Sequence, residues 1–174
     1  MKIWMSFDME GVAGIVDWDQ CRPSGGARYE IGCQLMLDEV NAAIEGAVAG
    51  GATDVVLNDS HGTMANLDPR RIAGGASYIS GRHKPRYMMQ GLDDSFDAAF
   101  LVTVLGEIPD QQQAIGELAR VLRPGGRLVV GELFGDPHMV RLGKLRERAE
   151  AAALSFERRL GTPLGYFARF TAPT

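Results

Sequence analysis

The sequence predicts an α/β fold with a mainly parallel sheet. Two observations favour this class. Short apolar runs alternate along the chain with segments of helical periodicity, and such alternation is typical of parallel strands joined by right-handed crossovers. A chain of 174 residues with 45% hydrophobic and 23% charged residues is long enough to bury its own core. We therefore expect residues 1–174 to form a single domain.

The N-terminal region predicts one strand, a loop and one helix. Residues 2–7 are a short apolar run that ends in acids, which is typical of a buried strand. Residues 11–28 contain Gly, Pro and Ser without periodicity and predict a loop. Gly50-Gly51 ends the helix predicted for residues 29–48. Its apolar positions are Ile31, Leu35, Val40, Ile44 and Val48.

Further strands and a second helix are predicted in the middle of the chain. Residues 54–57 and 76–79 are short apolar runs, and residues 96–105 are rich in Val and Leu, as expected for a central strand. Residues 110–122 predict an amphipathic helix, closed by Pro124-Gly125-Gly126. The apolar face of this helix consists of Ile115, Leu118, Val121 and Leu122.

The C-terminal region predicts one more strand at residues 127–133 and a charged surface helix at residues 139–152. Two further runs, residues 154–160 and 164–170, flank Gly161-Thr162-Pro163 and predict a β-hairpin. The expected architecture is three-layered and Rossmann-like, with helices covering a mainly parallel sheet and a C-terminal antiparallel hairpin.

Composition argues against several classes of partner. The net charge of −4 argues against nucleic acid. The N-terminal residues contain no apolar run long enough for a signal peptide or a membrane span, so no membrane partner is expected. Cys21 and Cys33 are too few for a disulfide framework and predict reduced thiols in a cytoplasmic protein.

Charge is distributed unevenly along the chain. Residues 1–99 contain 14 acidic and 8 basic residues, whereas residues 100–174 contain 8 acidic and 10 basic residues. Lys144 is the only lysine after residue 100. This shift near residue 100 indicates two parts of different character.

A candidate metal site follows the first two strands. Asp8 and Glu10 are two residues apart at the end of the first strand, so their side chains point to the same face. Asp59 and His61 repeat this spacing after the second strand. Ligands of α/β sheets bind beyond the carboxyl ends of the strands. If the two strands are neighbours, Asp8, Glu10 and His61 meet in a site suited to Zn²⁺, with Mn²⁺ or Fe²⁺ as alternatives.

A purely structural interpretation of these residues stays open. Asp and Ser after strands often cap helices, and a Ser-His pair often forms a turn. Carboxylates packed together without a cation raise their pKa values and cost stability, which favours a counter-charge.

Five other candidate residues are expected to have structural roles. His83, among Arg82, Lys84 and Arg86, predicts a solvated surface position, and His138 predicts a helix cap or a solvent-facing residue. The remaining three large side chains are expected to pack in the interior: Met88, Met89 and Trp18.

Five stretches within residues 1–100 resemble the zinc-dependent D-aminopeptidases of the DppA type. They follow the family's order, at residues 6–11, 39–47, 58–62, 80–85 and 88–96. The resemblance implies a binuclear zinc peptidase that hydrolyses short peptides of D-amino acids. It also implies that Asp8, Glu10 and His61 are metal ligands, and that the chain forms homo-oligomers, since the family assembles into large rings.

The chain departs from this family after residue 100. The family continues with Gly-Tyr-His-Ala, whose histidine binds the second metal, whereas this chain has Thr103-Val104-Leu105-Gly106, with Leu105 at the histidine position. A later active-site histidine of the family has no counterpart. Glu132 lies in a Gly-Glu pair that resembles a later ligand, but its surroundings belong to another family. The resemblance thus implies one or two zinc ions, with the second site incomplete.

Residues 95–173 resemble the C-terminal half of class I S-adenosylmethionine methyltransferases. The stretches that carry the resemblance are residues 95–100 and 118–130, the latter containing Leu-Arg-Pro-Gly-Gly before an apolar strand. Cofactor binding in that family depends on a glycine-rich loop after the first strand. Here that loop is Asp-Met-Glu-Gly-Val-Ala-Gly, which lacks the glycine spacing. Its carboxylates would also repel the cofactor's carboxylate, so no methyl-donor cofactor is expected.

The chain is therefore predicted to be a chimera of residues 1–99 and 100–174, joined at a Phe-Asp-Ala-Ala-Phe block that both families share. The leading functional prediction is an impaired metal-dependent aminopeptidase. The alternatives are a methyltransferase fragment and an inactive chimeric α/β domain.

Overall fold

The computed structural model describes residues 1–93 and 96–174. Ser95, the first residue of the methyltransferase-like stretch, lies outside the described residues, as does part of the predicted stretch 88–96. The strands are β1 (Lys2–Phe7), β2 (Asp54–Asp59), β3 (Ser77–Ile79), β4 (Phe96–Val102), β5 (Leu122–Leu133), β6 (Ser155–Leu160) and β7 (Gly165–Thr171). The α-helices of the described ranges are α1 (Ala27–Ala49), α2 (Gln111–Val121) and α3 (Leu142–Ala151).

The seven strands form one sheet in the order β3-β2-β1-β4-β5-β7-β6. The first five are mutually parallel, and β7 pairs antiparallel with both β5 and β6. The chain winds outward from β1 to β3 and then returns to place β4 on the other side of β1. This arrangement confirms the predicted mainly parallel α/β sheet with its C-terminal hairpin, and it puts a topological switch point between β1 and β4.

Helices cover the two faces of the sheet with separate apolar clusters. Helix α1 packs Val40 and Ile44 against one face, next to Met5 and Leu57. Helices α2 and α3 pack Leu118 and Leu145 against the other face. The predicted apolar face of α2 is confirmed, since Ile115, Leu118, Val121 and Leu122 are all buried.

The predicted apolar face of α1 is partly wrong. Val40 and Ile44 are buried, but Ile31 and Val48 are exposed. At 3.6 residues per turn, Ile31 lies about half a turn from Val40, so the two cannot share a face. The helix instead buries Met36 and Leu37.

Two boundaries differ from the prediction on either side of the chain's join. Strand β4 ends at Val102, three residues earlier than expected, because Thr103 adopts a left-handed backbone with φ of 51°. Strand β5 begins at Leu122, directly after α2, and its pairing with β4 shifts between Leu122 and Arg127. The predicted Pro-Gly-Gly turn is therefore a bulge within this strand, with Gly125 at φ of 72°.

Helix α3 begins at Leu142 instead of residue 139, and it is not wholly a surface helix, because Leu145 and Ala149 are buried. In the described part of the chain, no helix is both long and apolar enough to cross a membrane.

The loop after β4 packs tightly against the loop after β5. A Cβ atom on Gly106 would lie 2.1 Å from the carbonyl oxygen of His138. We therefore expect Gly106→Ala to lower the free energy of unfolding by about 1–3 kcal/mol, because the backbone must move to relieve the overlap. Thermal and urea denaturation measure this loss.

Gly116→Ala is the matched control for that substitution. Gly116 lies within α2, and a Cβ atom there would meet nothing within 4 Å. Alanine should stabilise the helix by about 0.5–1 kcal/mol. Equal effects of the two substitutions would contradict the tight packing at Gly106.

Candidate metal centre

The candidate centre forms where β1 and β2 end side by side. The two strands pair in parallel register, with Phe7 opposite Asp59. Asp8 follows Phe7 directly, and His61 lies two residues beyond Asp59. The structure brings Asp8, Glu10 and His61 together, and one potential ligand atom from each lies within 4.8 Å of the others.

The His61 ring is oriented by contacts on both of its nitrogens. Nδ1 lies 2.6 Å from Oδ1 of Asp8 and 2.9 Å from Oε2 of Glu10. Nε2 hydrogen-bonds the backbone carbonyl of Cys21. A carbonyl only accepts, so Nε2 carries a proton, and in the neutral ring Nδ1 presents its lone pair to the two carboxylates.

Three acceptors that face one another require a cation. A second proton on the His61 ring would meet this requirement. Burial opposes the charged imidazole, but the hydrogen bonds with Asp8 and Glu10 outweigh burial and raise the pKa of His61 to about 11. Burial also raises the pKa of Asp8. For Glu10, which is also partly desolvated, the bond with His61 prevails and lowers the pKa.

The same donor set fits a divalent metal ion. Two carboxylates and one imidazole form a three-ligand set of the kind found in catalytic zinc sites, which keep a further position open. Asp8 is buried, whereas the Glu10 side chain is 23% exposed and borders a cleft. Solvent therefore reaches the centre beside Glu10 but not at Asp8.

A set of buried polar groups holds the loop that carries His61. Asp59 accepts hydrogen bonds from the backbone and side chain of Asn66 at 2.7 and 2.8 Å, and from the Tyr78 hydroxyl at 2.7 Å. Asn66 in turn donates to the carbonyl of His61 at 2.8 Å. Asp59 therefore positions the loop and does not itself join the three-residue cluster, although its spacing matches that of Asp8 and Glu10.

The buried side chain of Lys84 contacts the end of β2, the strand that leads into this loop. Its ammonium donates to Oδ1 of Asn58 at 2.8 Å and to the backbone carbonyl of Asp59. Burial lowers the pKa of Lys84. The sequence around Lys84 predicts only a charge beside His83, because nothing in its local pattern signals burial. His83 itself is exposed, as predicted.

Thr103, directly after β4, contacts the loop that follows β1. Its hydroxyl donates to the backbone carbonyl of Glu10. Gly11, at φ of 100°, allows this approach, because a Cβ atom there would lie 2.3 Å from Cγ2 of Thr103. No local sequence pattern marks Thr103, because its role depends on the pairing of β1 with β4.

Leu105 and Glu132 occupy interior positions. Leu105 is fully buried in the apolar cluster of α2 and α3. Glu132 is buried, and its Oε2 accepts from the backbone of Val140 at 3.0 Å. Its Oε1 has no hydrogen-bond partner among the described residues. Burial raises the pKa of Glu132 to about 7.

An open cleft of about 790 Å³ borders Glu10. Its walls come from residues 15–22 and from residues 133–137. Trp18 lines this cleft and is 56% exposed, so its predicted interior packing is wrong. Met88 is buried and Met89 packs against the same core, as predicted.

A second group of metal-ligand residue types lies on the surface, where the ligand atoms of Glu107, Asp136 and His138 are close together. Nδ1 of His138 pairs with Glu107, and the His138 backbone donates to Asp136 at 2.8 Å. These contacts tie together the two loops that meet at Gly106. His138 faces solvent, as predicted.

Comparison with known proteins finds relatives in two families, the first of which is the D-aminopeptidases. A family model described as D-aminopeptidase matches residues 1–110. The D-aminopeptidase of Bacillus subtilis (strain 168) is 43% identical over 102 residues, which cover 59% of this chain and 37% of the relative. The solved structure of the zinc-dependent D-aminopeptidase DppA from Bacillus subtilis, described as a self-compartmentalizing protease, is 42% identical. It superposes with a TM-score of 0.56 over 58% of this chain and 36% of its own.

Methyltransferases match as well. The demethylmenaquinone methyltransferase of Clavibacter sepedonicus is 34% identical over 98 residues, covering 56% of this chain and 40% of the relative. A solved S-adenosylmethionine-dependent methyltransferase from Aquifex aeolicus, 14% identical, shares the fold with a TM-score of 0.60 over 98% of this chain and 81% of its own. Both predicted resemblances are confirmed. The chain spans less than half the length of the curated relatives named here.

The buried carboxyl of Glu132 should make stability depend on pH. Because its pKa is higher in the folded than in the unfolded chain, the folded state binds an extra proton between about pH 4.5 and 7. Stability from this group is therefore lost as pH rises through that window. We expect Glu132→Gln, which can still accept from Val140, to stabilise the protein by roughly 1–3 kcal/mol more at pH 8 than at pH 5.

Urea denaturation at the two pH values measures this difference. Glu45→Gln, at an exposed position of α1, is the control and should show no such dependence on pH. The same pH dependence in wild type and Glu132→Gln would show that Glu132 takes up no proton on folding.

Proposed function

The chain belongs to the D-aminopeptidase family through residues 1–110, and on that basis we propose that it is a metal-dependent hydrolase of short peptides of D-amino acids. In this proposal Asp8, Glu10 and His61 hold one zinc ion. Activity is lower than that of a two-metal peptidase, because the position expected for a further histidine is Leu105 in the apolar core.

The observation that carries the proposal is the arrangement of acceptors around His61. Nδ1 faces Asp8 and Glu10 at 2.6 and 2.9 Å, while the Cys21 carbonyl fixes the proton on the opposite nitrogen. Metal-binding histidines are commonly oriented by such a carbonyl partner. A surface ion pair has no need of this second contact, so the geometry favours a site built for a cation.

Each protein group has a defined task in the proposed reaction. When bound, the metal would acidify a water molecule and polarise the scissile carbonyl. Asp8 and His61 hold their positions through the buried contacts of their loops, and Cys21 keeps the imidazole ring turned toward the carboxylates. Glu10 stands between the centre and the cleft, where the peptide enters. The buried Asp59–Asn66 pair keeps the His61 loop rigid.

Other properties of the proposed enzyme follow from its relatives and composition. The Bacillus subtilis D-aminopeptidase is described as a self-compartmentalizing protease, and this chain is proposed to form homo-oligomers as well. Cys21 and Cys33 are free thiols, which supports a reducing, cytoplasmic location.

Methyl transfer is the rival function, favoured by the 34% identity to a methyltransferase. The loop after β1 argues against it. Two carboxylates, Asp8 and Glu10, lie at the switch point where a methyl-donor cofactor would place its own carboxylate, and like charges repel. Glu132 adds a third carboxyl at the end of β5.

Zinc binding tests the proposed centre. Metal-free protein should bind about one equivalent of Zn²⁺, measured by calorimetry and by elemental analysis after gel filtration. Asp8→Asn and His61→Ala should each weaken binding by at least about tenfold, because each removes a ligand. His83→Ala, at an exposed histidine, is the matched control and should bind like wild type.

Hydrolysis of a D-alanine dipeptide by the zinc-loaded protein should disappear in the same two variants. Binding of less than a tenth of an equivalent of zinc, unchanged by Asp8→Asn, would exclude the metallopeptidase. Micromolar binding of S-adenosylmethionine in the same calorimeter would favour the methyltransferase. Zinc binding with no hydrolysis would identify an inactive metal-binding domain.

The two parts, residues 1–99 and 100–174, are further proposed to fold as one domain. Support comes from β4, which pairs with β1 on one side and β5 on the other, and from an apolar cluster that contains both Trp4 and Leu128. A chain of this size with a shared core is expected to unfold in a single transition.

Leu128→Ala tests this coupling, because it damages the second part while buried Trp4 reports on the first. In a Trp18→Phe background, the urea midpoint of Trp4 fluorescence should fall together with that of far-UV circular dichroism. The expected loss is about 2–5 kcal/mol in both signals. A Trp4 transition that Leu128→Ala leaves in place would mean that the two parts unfold independently.

A further inference from the structure

The cleft beside Glu10 combines side chains from both parts of the chain. Trp18 and Val16 come from the D-aminopeptidase-like part, and Leu133 and Phe134 come from the methyltransferase-like part. Trp18, Val16 and Phe134 are exposed, Phe134 to 52%. Large apolar side chains exposed around one concave surface are typical of a ligand-binding site.

The cleft continues into the candidate metal centre. Glu10 belongs to both, and the Cys21 backbone that orients His61 lies in the cleft wall. A volume of about 790 Å³ lies within the range of pockets that hold small organic ligands. A molecule seated against Phe134 and Trp18 therefore reaches toward the triad at Glu10.

Charged groups in the cleft wall are largely paired. Four carboxylates line it, those of Glu10, Asp17, Asp19 and Asp136, together with the guanidinium of Arg22. Asp17 pairs with Arg28 at 3.0 Å, Asp19 with Arg22 at 2.7 Å and Glu10 with His61 at 2.9 Å. The exposed apolar side chains are therefore the features of the wall that can discriminate between ligands.

We propose that this cleft selects peptides with a large apolar side chain, and that Trp18 and Phe134 determine this specificity. The inference rests on the proposed function in one respect: the proposed function places the reacting bond of the peptide next to Glu10. It assigns the wall at residues 133–137, supplied by the methyltransferase-like part, to substrate recognition.

The chemistry of the walls sets the order of preference. Phe134 and Trp18 offer apolar surface that a methyl side chain covers poorly and an aromatic or leucyl side chain covers well.

Peptide binding to the zinc-loaded protein tests the proposal without reliance on turnover. D-Leu-D-Phe amide should bind at least about tenfold more tightly than D-Ala-D-Ala amide in calorimetry, and it should change the fluorescence of Trp18. Phe134→Ala should remove most of this preference. Tyr87→Ala, which truncates an aromatic residue of similar exposure outside the cleft, should leave the preference intact.

The outcomes separate this inference from the proposed function. Equal affinities for the two peptides, or a preference that persists in Phe134→Ala, would overturn the inference even if zinc binds and peptides are hydrolysed. A preference lost in Phe134→Ala supports it even if hydrolysis is undetectable. Sedimentation velocity tests whether a second copy of the chain occupies the cleft instead. If Phe134→Ala converts a dimer to a monomer without changing peptide affinity, the cleft is a contact between copies, and the inference fails.

Discussion

Strand β1 is held between β2 and β4, and this double pairing determines where every candidate functional residue lies. Its pairing with β2 sets Phe7 opposite Asp59, so the loops that carry Asp8 and His61 leave the sheet side by side. Its pairing with β4 sets Phe7 opposite Val102, so Thr103 meets the loop that carries Glu10. The centre is thus a consequence of parallel register at the switch point, where strand ends offer polar groups on one edge.

The predicted join between the two parts lies in β4, the strand that pairs with both β1 and β5. Asp97 of this strand accepts from the backbone of Lys2 at 2.8 Å and pairs with Arg123 at 3.4 Å. It therefore contacts both parts, and the Lys2 bond, with support from Arg123, lowers the pKa of its carboxyl. A block whose side chains suit both neighbours lets two unrelated sequences share one sheet, since local preference and global pairing agree there.

Sequence patterns located the sheet and the triad because both depend on short-range regularities. Apolar runs marked β1, β2 and β4, and spacing of two residues placed Asp8 and Glu10 on one face. Features that depend on tertiary contacts were not predictable in this way. The Cys21 carbonyl, Thr103 and the buried Lys84 reach the site from other elements, and no local pattern marks them.

The errors have the same origin. Ile31 and Val40 are predicted to share one face of α1, because each apolar residue follows the previous one at nearly helical spacing. The step of nine residues between the two positions amounts to about two and a half turns, so Ile31 faces solvent. Trp18 is predicted to pack, but its side chain is 56% exposed and lines a cleft. The position of the join also explains what the site retains. Asp8, Glu10, His61 and the Cys21 carbonyl all precede residue 100, whereas Leu105 and Thr103, which bonds the carbonyl of Glu10, follow it. In the proposed enzyme the first part therefore supplies the ligands, and the second part, through the wall at residues 133–137, determines which molecules reach the ion.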